Sequence, residues 1–330
     1  MPRELRDVEQ WLLDDLGVEI VDGTLVWRDT SEALPRMSQN VARATLARRP
    51  EMAHVQSEVT SSLDLPCTSI FEGNAVRWGK VGNGPPLVAI HGTPFSSQVW
   101  RRIVPELTDR RTVYYYDMVG YGLSEMREGQ DVSLAVQNRT LVALFAEWGL
   151  ERPDVLAHDF GGATALRAYY LSGLRFRSLT VFDAVALAPW GSALVKHVRQ
   201  HESAFSGMPD YMHRALLHAY LNTAAFRPLS DEALAIYSAP WIGPVGQPAF
   251  YRQIAQMDQK FTDEVEGKYR KLDCPVTVLW GRDDKWIPYE QGMALAALIS
   301  DSECTPITGA GHLVQEDRPE AIVAAVLRQF

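Results

Sequence analysis

The chain has 330 residues, 46% hydrophobic, 22% charged and 10% aromatic, a balance that fills a sizeable core and excludes a disordered or low-complexity polymer. With 32 Lys and Arg against 41 Asp and Glu, the formal charge of -9 offers no basic face for nucleic-acid phosphates. MPRELRDVEQ is no apolar leader, no run of about 18 apolar residues occurs, and Cys67, Cys274 and Cys304 lack metal-site or disulfide spacing. A cytoplasmic protein without membrane or nucleic-acid partners is the expectation.

In chain order, LRDVEQWLLDDLG and SQNVARATLARR carry amphipathic helical spacing, so 1–65 reads as an N-terminal helical extension. Trp11, Leu12, Leu13 and Leu16 give it an apolar face that could pack on the sheet, on a cap or on a second copy in a homo-oligomer. From about residue 85, short runs rich in β-branched and aromatic residues alternate with amphipathic stretches, the pattern of parallel strands and crossover helices. Strands are predicted at PLVAIH (86–91), VYYYD (113–117), DVLAHD (154–159), SLTVFD (178–183) and VTVLWG (276–281). The alternation stops after Asp183 for roughly 90 residues, where MHRALLHAYLNTAAF and DEALAIY are helical in pattern. The fold class is therefore α/β, a mostly parallel doubly wound sheet. Its core spans 66–186 and 268–330, and 187–267 form a helical cap inserted after the strand that ends at Asp183.

Ligand crevices in open parallel sheets lie outside the carboxyl ends of the strands, where His91, Asp117, Asp159, Asp183 and Asp284 fall. Between a strand and a helix, Ala157-His158-Asp159-Phe160-Gly161-Gly162 has the small flanking residues of a nucleophile elbow, with Asp where Ser is usual. GRDDKWIP places Asp284 just past a strand, and GAGHLVQEDRPEAI places His312 on a glycine-flanked loop. Nucleophile, acid and histidine thus follow in the order this architecture uses.

With HGTPFSSQVW and YDMVGYGLS, these motifs make the sequence resemble the α/β-hydrolase superfamily from about Ile70 onward, within its Asp-nucleophile branch of epoxide hydrolases and haloalkane dehalogenases. The resemblance implies an alkyl-enzyme ester on Asp159, with His312 activating water. A carboxylate attacking sp³ carbon forms an ester that water can cleave, whereas serine would form an inert ether. Asp284 is the expected acid and Asp183 the alternative. The backbone N–H groups of Thr93 and Phe160 are the expected oxyanion donors.

Dehalogenases of this branch place Trp after the nucleophile and often Asn in the HGNP turn, where this chain has Phe160 and Thr93. Epoxide hydrolases donate from cap tyrosines, and AFYRQI matches the segment carrying one of them, at Tyr251. Tyr211 and Tyr237 are candidates for the second, the Trp190 indole is another donor candidate, and Trp241 is a candidate lining residue. Epoxide hydrolysis on a small apolar molecule is the leading expectation. Dehalogenation is the runner-up, and a lyase, an isomerase or a ligand-binding protein on this fold are further alternatives. No cofactor or metal is expected, since His197 and His201, four apart in a helical pattern, have no matching acidic third ligand.

Overall fold

The computed structural model describes residues 18–21, 24–27 and 62–328. Both predicted N-terminal helical stretches, with Trp11 to Leu16, lie outside the described residues. Within the unit of residues 1–59, Val18–Val21 (β1) pairs antiparallel with Thr24–Trp27 (β2), a pair not anticipated among the predicted elements.

The unit of residues 60–330 holds an eight-stranded sheet in its described residues. Its strands are Cys67–Phe71 (β3), Asn74–Gly82 (β4), Pro86–Ile90 (β5), Thr112–Tyr116 (β6), Asp154–His158 (β7), Ser178–Phe182 (β8), Val276–Gly281 (β9) and Thr305–Ile307 (β10). The order is β10-β9-β8-β7-β5-β6-β4-β3, and β4 alone runs opposite to the other seven strands. All five predicted strands form, within a residue or two of their expected ends. β7 and β8 are buried at every position, as parallel strands covered on both faces must be.

Helices cover the sheet: Leu134–Glu147 (α1), Phe160–Ser172 (α2), Tyr289–Ile299 (α8), Val314–Asp317 (α9) and Pro319–Leu327 (α10). α2 stops where Gly173 takes φ 76°, a left-handed C-cap that glycine adopts without steric cost. Between β8 and β9 the chain forms Ala193–Ser206 (α3), Asp210–Asn222 (α4), Asp231–Ser238 (α5), Gly243–Ala255 (α6) and Lys260–Glu266 (α7), with no strand among them. Among the described residues no helix is long and apolar enough to cross a membrane.

The chain passes from β5 to β6 on one side and then to β7 on the other, so the strand order reverses at β5. A crevice opens at such a reversal, outside the carboxyl ends of the strands.

Candidate active site

Four adjacent strands, β9, β8, β7 and β5, lead into Asp284, Asp183, Asp159 and the turn at Thr93. Asp159, between β7 and α2, takes φ 50° and ψ −118°, a conformation costing roughly 1–3 kcal/mol that surrounding packing must hold. A Cβ on Gly92 would lie 2.3 Å from the Asp159 Cβ, and one on Gly161 would lie 2.2 Å from the Ile90 carbonyl oxygen. Glycine is what lets β5, the turn and α2 close around this carboxylate.

The Asp159 carboxylate is buried; its Oδ1 accepts the Thr93 backbone N–H at 2.7 Å, and its Oδ2 lies 3.4 Å from Nε2 of His312. On the other side of the ring, Nδ1 is 2.9 Å from Oδ2 of Asp284. Oδ1 of Asp284 accepts the N–H groups of Trp286 at 2.7 Å and Ile287 at 3.0 Å, which turns Oδ2 toward the imidazole. Burial disfavours a charged His312, but the Asp284 charge and the contact with Asp159 outweigh it and hold the imidazole well above its usual range.

Asp183 is also buried, at φ 45°, and its Oδ1 accepts the Gly281 N–H at 2.9 Å. Burial first, then the neighbouring Asp284 charge, push it well above the usual carboxylate range, which favours its neutral form. Asp183, Asp284 and His312 bring potential ligand atoms within 4.8 Å of one another. Nδ1 of His312 faces Asp284 in a hydrogen bond, so the group reads as a hydrogen-bonded carboxylate and imidazole with a second carboxyl beside them. His197 and His201 are exposed on α3 with ring centroids 4.8 Å apart.

A cavity of about 50 Å³ opens on Asp159, lined by Thr93, Phe160, Trp190, Tyr220, Met257 and Trp286 among others. A wider surface groove of about 880 Å³ shares no lining residue with it.

Residues 85–319 match the alpha/beta hydrolase fold family. The chain belongs to that family. This α/β-hydrolase is 55% identical to an alpha/beta hydrolase fold protein from Burkholderia ambifaria whose crystal structure covers 81% of this chain and 99% of its own, with a TM-score of 0.80. It is 27% identical over 252 residues to the 2-hydroxy-6-oxo-2,4-heptadienoate hydrolase of Pseudomonas putida, across 74% of this chain and 89% of that protein. It is also 24% identical over 283 residues to the soluble epoxide hydrolase of Corynebacterium sp., across 79% and 96% respectively. Family membership supports a hydrolytic enzyme.

The donor candidates of this α/β-hydrolase are scattered. His213, which the sequence reading passed over, is buried on α4, and its Nε2 faces the Trp241 carbonyl at 2.8 Å, so Nε2 carries the proton. Its Nδ1 must then accept from the Tyr251 hydroxyl at 2.9 Å, which commits that tyrosine's only proton away from the cavity. Tyr237 is tied to Arg101 and Glu316, Tyr211 is 73% exposed, and the Trp241 indole donates to the Pro94 carbonyl at 2.7 Å. Trp190 does line the cavity, but its N–H goes to Thr262 Oγ1 at 2.8 Å.

Three more residues at the site are not among the candidates read from the sequence. Tyr220 lines the cavity and stacks on Trp286, with ring centroids 4.7 Å apart and planes at 15°. Trp286 lies 4.7 Å from the His312 ring, and its place just after Asp284 in GRDDKWIP was the available signal. His158 directs Nε2 at the His312 carbonyl oxygen at 2.9 Å and packs its ring 4.8 Å from the His312 ring, buttressing the loop. His91 accepts the Met118 N–H at Nε2, and Asp117 accepts those of Ser97 and Leu123, so both serve as internal supports.

Proposed function

We propose that this α/β-hydrolase opens epoxides through an ester on Asp159. The observation that carries the reading is the placement of one buried carboxylate between the Thr93 N–H at 2.7 Å and Nε2 of His312 at 3.4 Å. A Ser at the elbow would direct the chemistry to acyl carbon; a carboxylate there suits attack on sp³ carbon.

Asp159 Oδ2 attacks a ring carbon, the carbon–oxygen bond breaks, and the ring oxygen takes a proton from a phenol. Tyr220 is the phenol best situated for this, because it lines the cavity. Burial first, then the Asp159 charge, raise its pKa, so it stays protonated until a developing alkoxide takes the proton. The ester removes the Asp159 charge that helped hold His312 protonated, so the imidazole, once neutral, takes a proton from water, and the hydroxide attacks the ester carbonyl carbon. The Thr93 N–H, with that of Phe160 at the start of α2, stabilises the oxyanion. Collapse returns the His312 proton to the departing alkoxide. The proton shed by the Asp159 carboxyl restores Tyr220, so epoxide and water become a vicinal diol.

The proposal takes 187–267 as the cap, since Trp190, Val195, Tyr220 and Met257 from this segment line the cavity beside Asp159. The lining favours an apolar substrate. At about 50 Å³ the resting cavity suits a compact molecule. Matched short 1,2-epoxyalkanes and 1-bromoalkanes test the leaving group, with diol and bromide quantified in parallel. Diol formation without bromide release is expected, and bromide release without diol would transfer the site to dehalogenation.

A further inference from the structure

Gln253 lies on α6 and is 1% exposed. Its Oε1 accepts hydroxyl protons from Thr93 at 2.6 Å and from Tyr121 at 3.1 Å, which uses both lone pairs, while Nε2 has no partner. Exchanging the two ends of the amide would orphan the oxygen instead, so in either orientation one end is unsatisfied. A leucine there would remove the orphaned amide end but strip the Thr93 and Tyr121 hydroxyls of their acceptor, so the amide is explained by what it holds. It holds the hydroxyl of the residue whose N–H binds Asp159.

The grip extends to the next residue, because the Pro94 carbonyl accepts the Trp241 indole N–H at 2.7 Å. Both gripping side chains come from between β8 and β9, whereas Thr93 and Pro94 belong to the turn after β5. Tyr121, after β6, closes the cluster with its hydroxyl 3.3 Å from Thr93 Oγ1 and its ring edge-on to Trp241.

We propose that Gln253 is a positioning residue that acts through the Thr93 hydroxyl to aim the Thr93 N–H at Asp159, coupling the helical segment to the oxyanion donor. Its kinetic consequence rests on the Asp159 ester reading. The positioning itself does not. Oxyanion stabilisation is most needed when the ester carbonyl becomes tetrahedral, so a loosened Thr93 slows ester hydrolysis more than ester formation.

The test compares Gln253→Leu, Gln253→Glu, Thr93→Val and the Leu/Val double variant of the full chain. Hydrogen–deuterium exchange of the peptide spanning residues 91–96 should quicken about tenfold in the Leu and Val variants and no further in the double. Gln253→Glu, which keeps an accepting oxygen at Oε1, should stay within about twofold of wild type. Single turnovers with 1,2-epoxybutane should show Gln253→Leu slowing ester hydrolysis by about 10–100-fold and ester formation by less than about threefold. Thr93→Val preserves side-chain size and carries the test if the leucine variant does not fold. Unchanged exchange at 91–96, or additive effects of the two substitutions, would overturn the proposal. Quickened exchange with no Asp159 ester in any variant would support the positioning role and overturn the epoxide reading.

Discussion

Oδ2 of Asp284 lies 2.9 Å from Nδ1 of His312, and that contact separates the two acids buried behind the imidazole. Asp183 spends its Oδ1 on the Gly281 N–H and is the member whose pKa burial pushes up. Asp284→Asn should therefore lower kcat by about 10²–10⁴, as expected when an imidazole loses the carboxylate that fixes its tautomer. Asp183→Asn, which still accepts from Gly281, should stay within about fivefold of wild type. Steady-state kinetics of the two variants decide the assignment, and the opposite order would make Asp183 the acid.

The same cluster has a pH signature in stability. Burial, then the Asp284 charge, raise the folded-state pKa of Asp183 above its ordinary value of 3.8. Its contribution is thus fully present below that value and is lost as pH rises through the raised one. Asp183→Asn removes this loss and should melt about 2–4 °C above wild type near neutral pH, with the gap closing toward about pH 4. Thermal melts across that range check it; a gap independent of pH would refute the raised pKa of Asp183.

Tyr220 and Tyr251 should part company. Tyr220→Phe is expected to slow ester formation by about 10²-fold, the contribution of a positioned proton donor. Tyr251→Phe leaves Nδ1 of buried His213 without its donor and should cost about 1–3 kcal/mol of stability while changing ester formation little. Rapid-quench kinetics and denaturant melts on the two variants distinguish these effects. Slowed ester formation in Tyr251→Phe, with Tyr220→Phe unaffected, would reverse the donor assignment.

Much of the core is legible in the sequence because buried parallel strands read as unbroken apolar runs, as in PLVAI and SLTVF. CTSIF and NAVRWGKVG escape, because β3 and β4, toward the sheet's edge, mix buried positions with half-buried and exposed ones and carry no unbroken apolar run. β10 escapes as only three residues with a proline among them. At the site, the elbow, the acid and the histidine sit on motifs tied to strand ends, so their convergence can be anticipated. Side chains on the helical segment cannot be aimed from a motif. Tyr251 and Gln253 are two positions apart on α6 and point roughly 200° apart, so AFYRQI alone does not say which meets the Thr93 turn. His158 buttresses His312 across 154 residues of sequence, a contact that no local pattern encodes.

The elbow's steric logic predicts a contrast between glycines. Gly161→Ala would drive a Cβ against the carbonyl oxygens of Ile90 and His91, at 2.2 Å and 2.7 Å, where backbone cannot yield cheaply. A loss of about 3 kcal/mol or more is expected. Gly267 has an ordinary φ of −66° and nothing within 4 Å, so Gly267→Ala should be neutral or stabilise by up to about 1 kcal/mol. Urea titrations of both variants measure the difference, and equal tolerance would mean that the β5 contact is not rigid.

The most direct measurement of the central claim is intact and peptide mass spectrometry of His312→Gln after incubation with an epoxide that the wild type converts to diol. With the base for water removed and Asp159 still set against the Thr93 N–H, the ester should form and persist. A single adduct of the epoxide's mass on the peptide containing Asp159, absent in Asp159→Asn, is the predicted result. An unmodified Asp159 at full substrate exposure, or wild-type turnover by purified Asp159→Ala, would contradict it.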